Sequence, residues 1–150
     1  MLCARRLAVG LCVLVGLVAG CSSATISGPK VKGKIIDVDG SPFSFKPGAE
    51  LVTLEFRGTH NGQPFNATAE VNRDGTFKLD GPEDAGVPVG SYKVVLSVLP
   101  YGAAASKDAP SERYNRSFAD WDTTPLTFEL TRSNAQRLII NLQERTITAN

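Results

Sequence analysis

Ser91-Tyr92-Lys93-Val94-Val95-Leu96-Ser97-Val98-Leu99 decides the fold. Tyr92, Val94, Leu96 and Val98 recur at period two, the spacing that places side chains on one face of a β-strand. Val95 and Leu99 add apolar groups to the other face, so the segment reads as a central strand covered on both sides. Such a strand needs neighbours, and the same alternation recurs on either side of it. Val31, Gly33 and Ile35 share a face, as do Val52, Leu54 and Phe56, then Phe65, Ala67, Ala69 and Val71, then Phe77 and Leu79. Downstream, Leu126, Phe128 and Leu130 alternate, and Leu138, Ile140 and Leu142 follow. Turn chemistry separates the runs at Gly40-Ser41-Pro42, His60-Asn61-Gly62-Gln63, Asn72 to Gly75 and Ser133-Asn134. The runs up to Leu79 read as a meander.

No segment shows convincing helical periodicity. About seven short strands therefore predict an all-β protein, a single antiparallel β-sandwich with Greek-key connections, over residues 30–143. One long connection near 100–125 breaks the pattern and reads as a packed lid or an open loop. Residues 144–150 are polar apart from Ile147 and read as a C-terminal tail.

The N-terminus has a different character. Arg5 and Arg6 precede an almost wholly apolar run from Leu7 to Val18, the layout of a signal peptide and too short for a membrane span of about 20 apolar residues. Leu17-Val18-Ala19-Gly20-Cys21 closes that run and resembles the lipobox of bacterial lipoproteins, with Cys21 as the acceptor of a diacylglycerol. The resemblance implies removal of residues 1–20, a lipidated tether over 21–29 and a membrane partner reached through the lipid on Cys21. Several acyl chains make such an anchor stable, since each buried CH₂ contributes about 0.8 kcal/mol. Ser22 after the cysteine, rather than aspartate, implies the outer membrane in preference to the inner one. An ordinary secretory signal cut near Ala19 is the alternative.

Loss of residues 1–20 removes Arg5 and Arg6 and leaves 14 basic residues against 15 acidic ones, a net charge of about −1. That balance has no surplus to neutralise phosphates, which disfavours nucleic acid as a partner. Cys3, Cys12 and Cys21 all lie in or beside the signal. The exported domain is then expected to fold without disulfides, on its core alone.

Val31-Lys32-Gly33-Lys34-Ile35 leading to Gly40-Ser41-Pro42, then Asp74-Gly75-Thr76-Phe77, then Val89-Gly90-Ser91-Tyr92-Lys93-Val94, resemble the carboxypeptidase regulatory-like (transthyretin-like) domain. The similarity covers roughly residues 29–99. It implies a prealbumin-like sandwich without catalytic activity. Transthyretin-like hydrolases near this fold carry several active-site histidines and a Tyr-Arg-Gly-Ser ending. This chain has one histidine, His60, and ends Ile147-Thr148-Ala149-Asn150, so no catalytic residue carries over.

The remaining chemistry is sparse. His60 without a second histidine or a cysteine beyond the tether does not make a zinc site. Asp37-Val38-Asp39-Gly40 begins like a calcium loop but lacks the third acidic position and the distal glutamate. Lys32 or Lys34, Glu55 and Asn141 supply the residue types of an isopeptide bond, with strand phase against it. No metal, cofactor or catalytic set is expected. Tyr101, Tyr114, Phe118 and Trp121 stand in the long connection with Lys107, Arg113, Arg116 and Asp120. They either cover an open sheet edge or bind an envelope protein or glycan. The triplets at Asn66 and Asn115 match the glycosylation pattern by chance. The function expected is that of a lipid-anchored envelope protein with a non-catalytic structural or binding module. The alternatives are a carbohydrate- or peptide-binding lipoprotein using the loop around Trp121, and a hydrolase without a recognisable motif.

Overall fold

A computed structural model describes residues 27–45, 50–81, 84–100, 111–133 and 137–149. The strands are β1 (Val31–Ile36), β2 (Glu50–His60), β3 (Gln63–Glu70), β4 (Thr76–Leu79), β5 (Gly90–Pro100), β6 (Thr127–Leu130), β7 (Leu138–Asn141) and β8 (Thr146–Ala149), with one helix, α1 (Ser111–Phe118), between β5 and β6. They form two four-stranded sheets, β4-β1-β7-β8 and β3-β2-β5-β6. The fold is the expected all-β sandwich, and β5 is an interior strand as expected, although on its second face only Val95 is buried and Leu99 is exposed.

The alternating residues meet between the sheets. Val31, Ile35, Phe77, Leu79, Leu138 and Ile140 of the first sheet face Val52, Leu54, Phe56, Val94, Leu96 and Val98 of the second, all buried. Phe56 joins the layers, its ring 6.2 Å from Phe77 and 6.1 Å from Phe128. Gly33 is glycine because the Phe77 ring lies over it; a Cβ there would sit 2.2 Å from Phe77 Cζ and 2.9 Å from the Leu138 carbonyl oxygen.

The β2–β3 hairpin turns on Asn61 and Gly62, with φ of 50° and 76°, and closes on the His60–Gln63 pair. Positive φ at both central residues is the primed turn whose twist matches the strands, which Asn-Gly favours. The expected meander is not formed: β1 and β4 belong to the other sheet, and of those runs only β2 and β3 make a hairpin. After β3 the chain crosses to the other sheet, where β4 pairs antiparallel with β1. This return beside the first strand is a Greek-key connection. β1 also pairs with β7, and that pair is parallel, Gly33 opposite Leu138 and Ile35 opposite Ile140.

Three expectations need correction. The sandwich has eight strands, because most of the expected tail is itself a strand. Thr146-Ile147-Thr148-Ala149 pairs with β7, and Ile147 and Ala149 pack on the core. A single large apolar side chain hid its alternation. The connection near 100–125 contains a helix, because Ser111, Tyr114 and Phe118 fall at i, i+3 and i+7 on one buried face. One parallel pair qualifies the antiparallel expectation, since pairing partners distant in sequence leave no mark on local periodicity.

Tyr92 sits at a corner of the second sheet. Its ring stacks on Phe128 at 5.6 Å, and its hydroxyl donates to the Pro88 carbonyl at 2.7 Å. Burial pushes its ionisation up to about 12. The neutral ring is therefore favoured by folding, and its contribution is fully present below pH 10 and lost as pH rises through about 12. Denaturant midpoints measured from pH 8 to pH 12 should fall across the upper part of that range. In Tyr92→Phe the fall should be shallower, with a loss of about 1 kcal/mol at neutral pH from the missing hydrogen bond.

Candidate functional site

The functional question centres on α1 and the turn behind it, which pack over β5. β6 pairs only with Gly90 to Lys93, so among the described residues the remaining edge of β5 has no strand beside it. Side chains from the connection take the place of that strand. The Asn115 amide accepts from Val98 N at 3.0 Å and donates to Val98 O at 2.9 Å. Nearer the centre, Thr124 Oγ1 donates to Val94 O at 2.7 Å, and Val94 N donates to Leu126 O at 2.8 Å. Buried backbone groups must be paired, and a bare edge invites another chain, so these contacts close the sheet.

A second set of contacts ties α1 to the loop after β1. Tyr114 donates its hydroxyl hydrogen to Asp37, with Oδ1 and Oδ2 both at 2.9 Å. Arg113 adds a hydrogen bond to Tyr114 and an ion pair to Asp37 Oδ2 at 3.4 Å. Asp37 is 7% exposed, and its Oδ1 also accepts from Val38 N at 2.6 Å. Burial pushes the Tyr114 ionisation up, with the Arg113 hydrogen bond pulling against it and the Asp37 carboxylate adding to it. Its ring meets Phe43 edge-on at 5.5 Å. Each group is already coordinated by its neighbours, so the cluster reads as a fastening.

The aromatic candidates accordingly separate. Tyr114 and Phe118 are core residues, 5% and 1% exposed, which places them on the edge-covering side of the two readings. Trp121 is half-buried, with the Arg57 guanidinium stacked over its ring at 3.9 Å. Tyr101, Cys21 and the Leu17, Val18, Ala19 and Gly20 positions lie outside the described residues. Beside Arg57 a shallow groove of about 620 Å³ runs over the outer face of the second sheet, lined by Thr59, Ser91, Lys93, Thr127 and Glu129 among others. Its hydroxyls, cations and carboxylate can hydrogen-bond a polar ligand, and Trp121 stands beside the groove behind the Arg57 guanidinium.

The other candidates stay apart. His60 meets Asn61 at the hairpin end, Nε2 to Nδ2 3.1 Å. Asp39 accepts from Ser41 N at 2.9 Å, and the Ser41 hydrogen bonds hold its carboxyl below the usual range. Asp39 thus serves a turn and Asp37 a fastening. Glu55 is on the outer face of the second sheet, across the core from Lys32, Lys34 and Asn141 on the first. Asn141 Oδ1 accepts from Glu144 N at 3.0 Å. Among the described residues, no group of three or more His, Cys, Asp or Glu side chains could hold a metal.

Asn115, Thr124, Arg57 and the pairing of Asp37 with Tyr114 were not recognised from sequence. The Ser111, Tyr114, Phe118 spacing was the one local signal that could have pointed to the helix. No family model matches the chain, nor does any curated protein or solved structure.

Tyr114→Phe leaves a buried carboxylate short of a donor, and Asn115→Ala leaves the Val98 N–H and C=O unpaired. Each should cost about 1–3 kcal/mol in denaturant unfolding. Because either loss loosens the same helix, the double variant should fall short of the sum of the two. Strict additivity would show that the two contacts hold α1 independently.

Proposed function

We propose that the protein is a lipid-anchored component of the cell envelope whose sandwich is a non-catalytic structural or binding module. The observation that carries this reading is the distance between the lipobox-like stretch and the folded body. Gly28 N already donates to Ala85 O at 2.9 Å, only seven residues after Cys21. A Cβ at Gly28 would lie 1.9 Å from the Val87 carbonyl oxygen, so the backbone seats directly against the body there. The intervening chain spans at most about 25 Å. A body so close behind an acylated cysteine would work at the membrane surface.

The carboxypeptidase regulatory-like resemblance belongs to the same proposal. Two four-stranded sheets and the return of β4 to β1 support a prealbumin-like reading of the sandwich. The polar groups that converge, buried Asp37 and Tyr114 with the exposed Arg113, are occupied with one another, which favours a module that binds or spaces over one that turns over substrate. A second reading, recognition of a glycan or peptide, is favoured by one observation, the Arg57–Trp121 stack at the edge of the polar groove.

The intact mass of protein extracted from membranes should correspond to a chain starting at Cys21 with added acyl mass, and Cys21→Ser should lack that mass. An unacylated soluble wild-type chain would sink the anchor. For the second reading, envelope glycan fragments should quench the fluorescence of Trp121, and Arg57→Ala should weaken that response about tenfold, the scale of one desolvated cation–π contact. An unchanged spectrum at saturating glycan would remove the glycan version.

A further inference from the structure

The two outer faces of the sandwich differ in charge. On the second sheet, Arg57 and Lys93 stand among Glu55, Glu70 and Glu129, two cations against three carboxylates. The outward positions of the first sheet are Lys32, Lys34 and Ile36 on β1, Thr76 and Lys78 on β4, Ile139 and Asn141 on β7, and Thr146 and Thr148 on β8. None is a carboxylate. Arg137, immediately before Leu138, continues the outward phase of β7.

Strand register gathers these cations. Lys32 is opposite Lys78 and Lys34 is opposite Thr76, while Gly33 pairs with Leu138 next to Arg137. Lys32, Lys34, Lys78 and Arg137 line a groove of about 440 Å³ with Asn72 and Thr76, and Gly33 and Phe77 also contribute to its lining. All four cations are exposed. Carboxylates stand at the border, Asp80 paired with Lys78 at 2.5 Å, Asp84 also close enough to act on Lys78, and Asp74 close enough to feel Lys34. A cationic face on a body with slight net negative charge needs an anionic counterpart.

We propose that the outer face of the first sheet lies on the anionic phospholipid headgroups of the membrane that holds the Cys21 lipid. The proposal rests on the anchored reading, which supplies both the partner and its proximity. The tether enters at β1, the strand that carries Lys32 and Lys34, and its short reach keeps a high local concentration of headgroups before that face. Arg137 offers a planar fork for a phosphodiester, and the lysines offer mobile point charges. Asn72, which spends one amide hydrogen on Thr76, can donate the other to a remaining phosphate oxygen. The indole-bordered groove on the opposite sheet would then point away from the bilayer, open to the envelope.

The test uses the mature chain from residue 21 carrying Cys21→Ser, so that no acyl chain contributes. It is sedimented with vesicles of phosphatidylcholine alone, or of three parts phosphatidylcholine to one part phosphatidylglycerol. Binding should appear only with the anionic vesicles and fall as salt is raised. Lys32→Gln/Lys34→Gln/Lys78→Gln should lower partitioning about a hundredfold, at about fivefold per cation. Arg116→Gln on the exposed face of α1 should leave it within about twofold. Thermal melts of the variants check that these exposed substitutions leave the fold intact. Equal binding to both vesicles, no binding, or an equal loss in Arg116→Gln would overturn the proposal. So would binding to polygalacturonate with none to vesicles, which would make the face a polysaccharide site. Because the chain tested carries no lipid, failure here leaves the anchor standing, and an unacylated Cys21 in cells leaves this result standing.

Discussion

The open half of the β5 edge is the constraint on which the rest of the structure depends. β5 is the most apolar strand and sits beside β2 along its length, yet β6 covers it only from Gly90 to Lys93. A strand left bare there would offer unpaired backbone groups to any passing chain. The connection after β5 closes that edge with side chains, Asn115 imitating a neighbouring residue at Val98 and Thr124 doing so at Val94. Closure then demands that α1 hold its place, and the Tyr114 hydroxyl on Asp37 ties the helix to the far end of β1. The edge of one sheet is thereby fastened to a strand of the other, which makes the helix part of the sandwich.

This arrangement explains which parts of the molecule could be read from the chain and which could not. Period-two patterning survives wherever one strand face meets a continuous core, so Val52, Leu54 and Phe56 or Val94, Leu96 and Val98 declare themselves. Pairing partners carry no such local mark. The parallel register of Gly33 with Leu138 joins residues more than a hundred positions apart, and the crossing from β3 to β4 looks in sequence like one more hairpin. α1 and β8 escaped for a shared reason: each contributes too few apolar side chains to show its period. Asp37 escaped for another, since its turn resembled the start of a cation loop while its partner stood 77 positions downstream.

The same logic redistributes the candidate residues. Aromatic side chains in a long connection read equally as a binding loop or as a cover, and only packing decides. Tyr114 and Phe118 went to the core because α1 presents one face to β5 and the Asp37 loop. Trp121, in the turn after the helix, has a different neighbour, the Arg57 guanidinium on the outer sheet surface. A guanidinium stacked on an indole keeps its edge donors available, and the flat pair gives the polar groove beside it a rigid wall. Among the described aromatic candidates, Trp121 is therefore the one whose surroundings suit recognition.

What a sandwich can do at a membrane follows from its having two faces and a filled interior. The core between these sheets is occupied, with a phenylalanine ring over the one glycine of β1, so ligands must be met on the outside. The outside is polarised: cations without intervening carboxylates on β1 and β4, mixed charge with an aromatic border on β2, β5 and β6. On the proposed anchored reading, a tether entering at β1 would hold the body near a bilayer but would not by itself set which face turns toward it, because a tether constrains distance and leaves rotation free. Charge segregation supplies that second constraint. Attraction of the β1–β4 face to anionic headgroups would fix the rotation that the tether leaves open and would present the Arg57–Trp121 groove outward, so that one surface orients the module and the other meets its ligand.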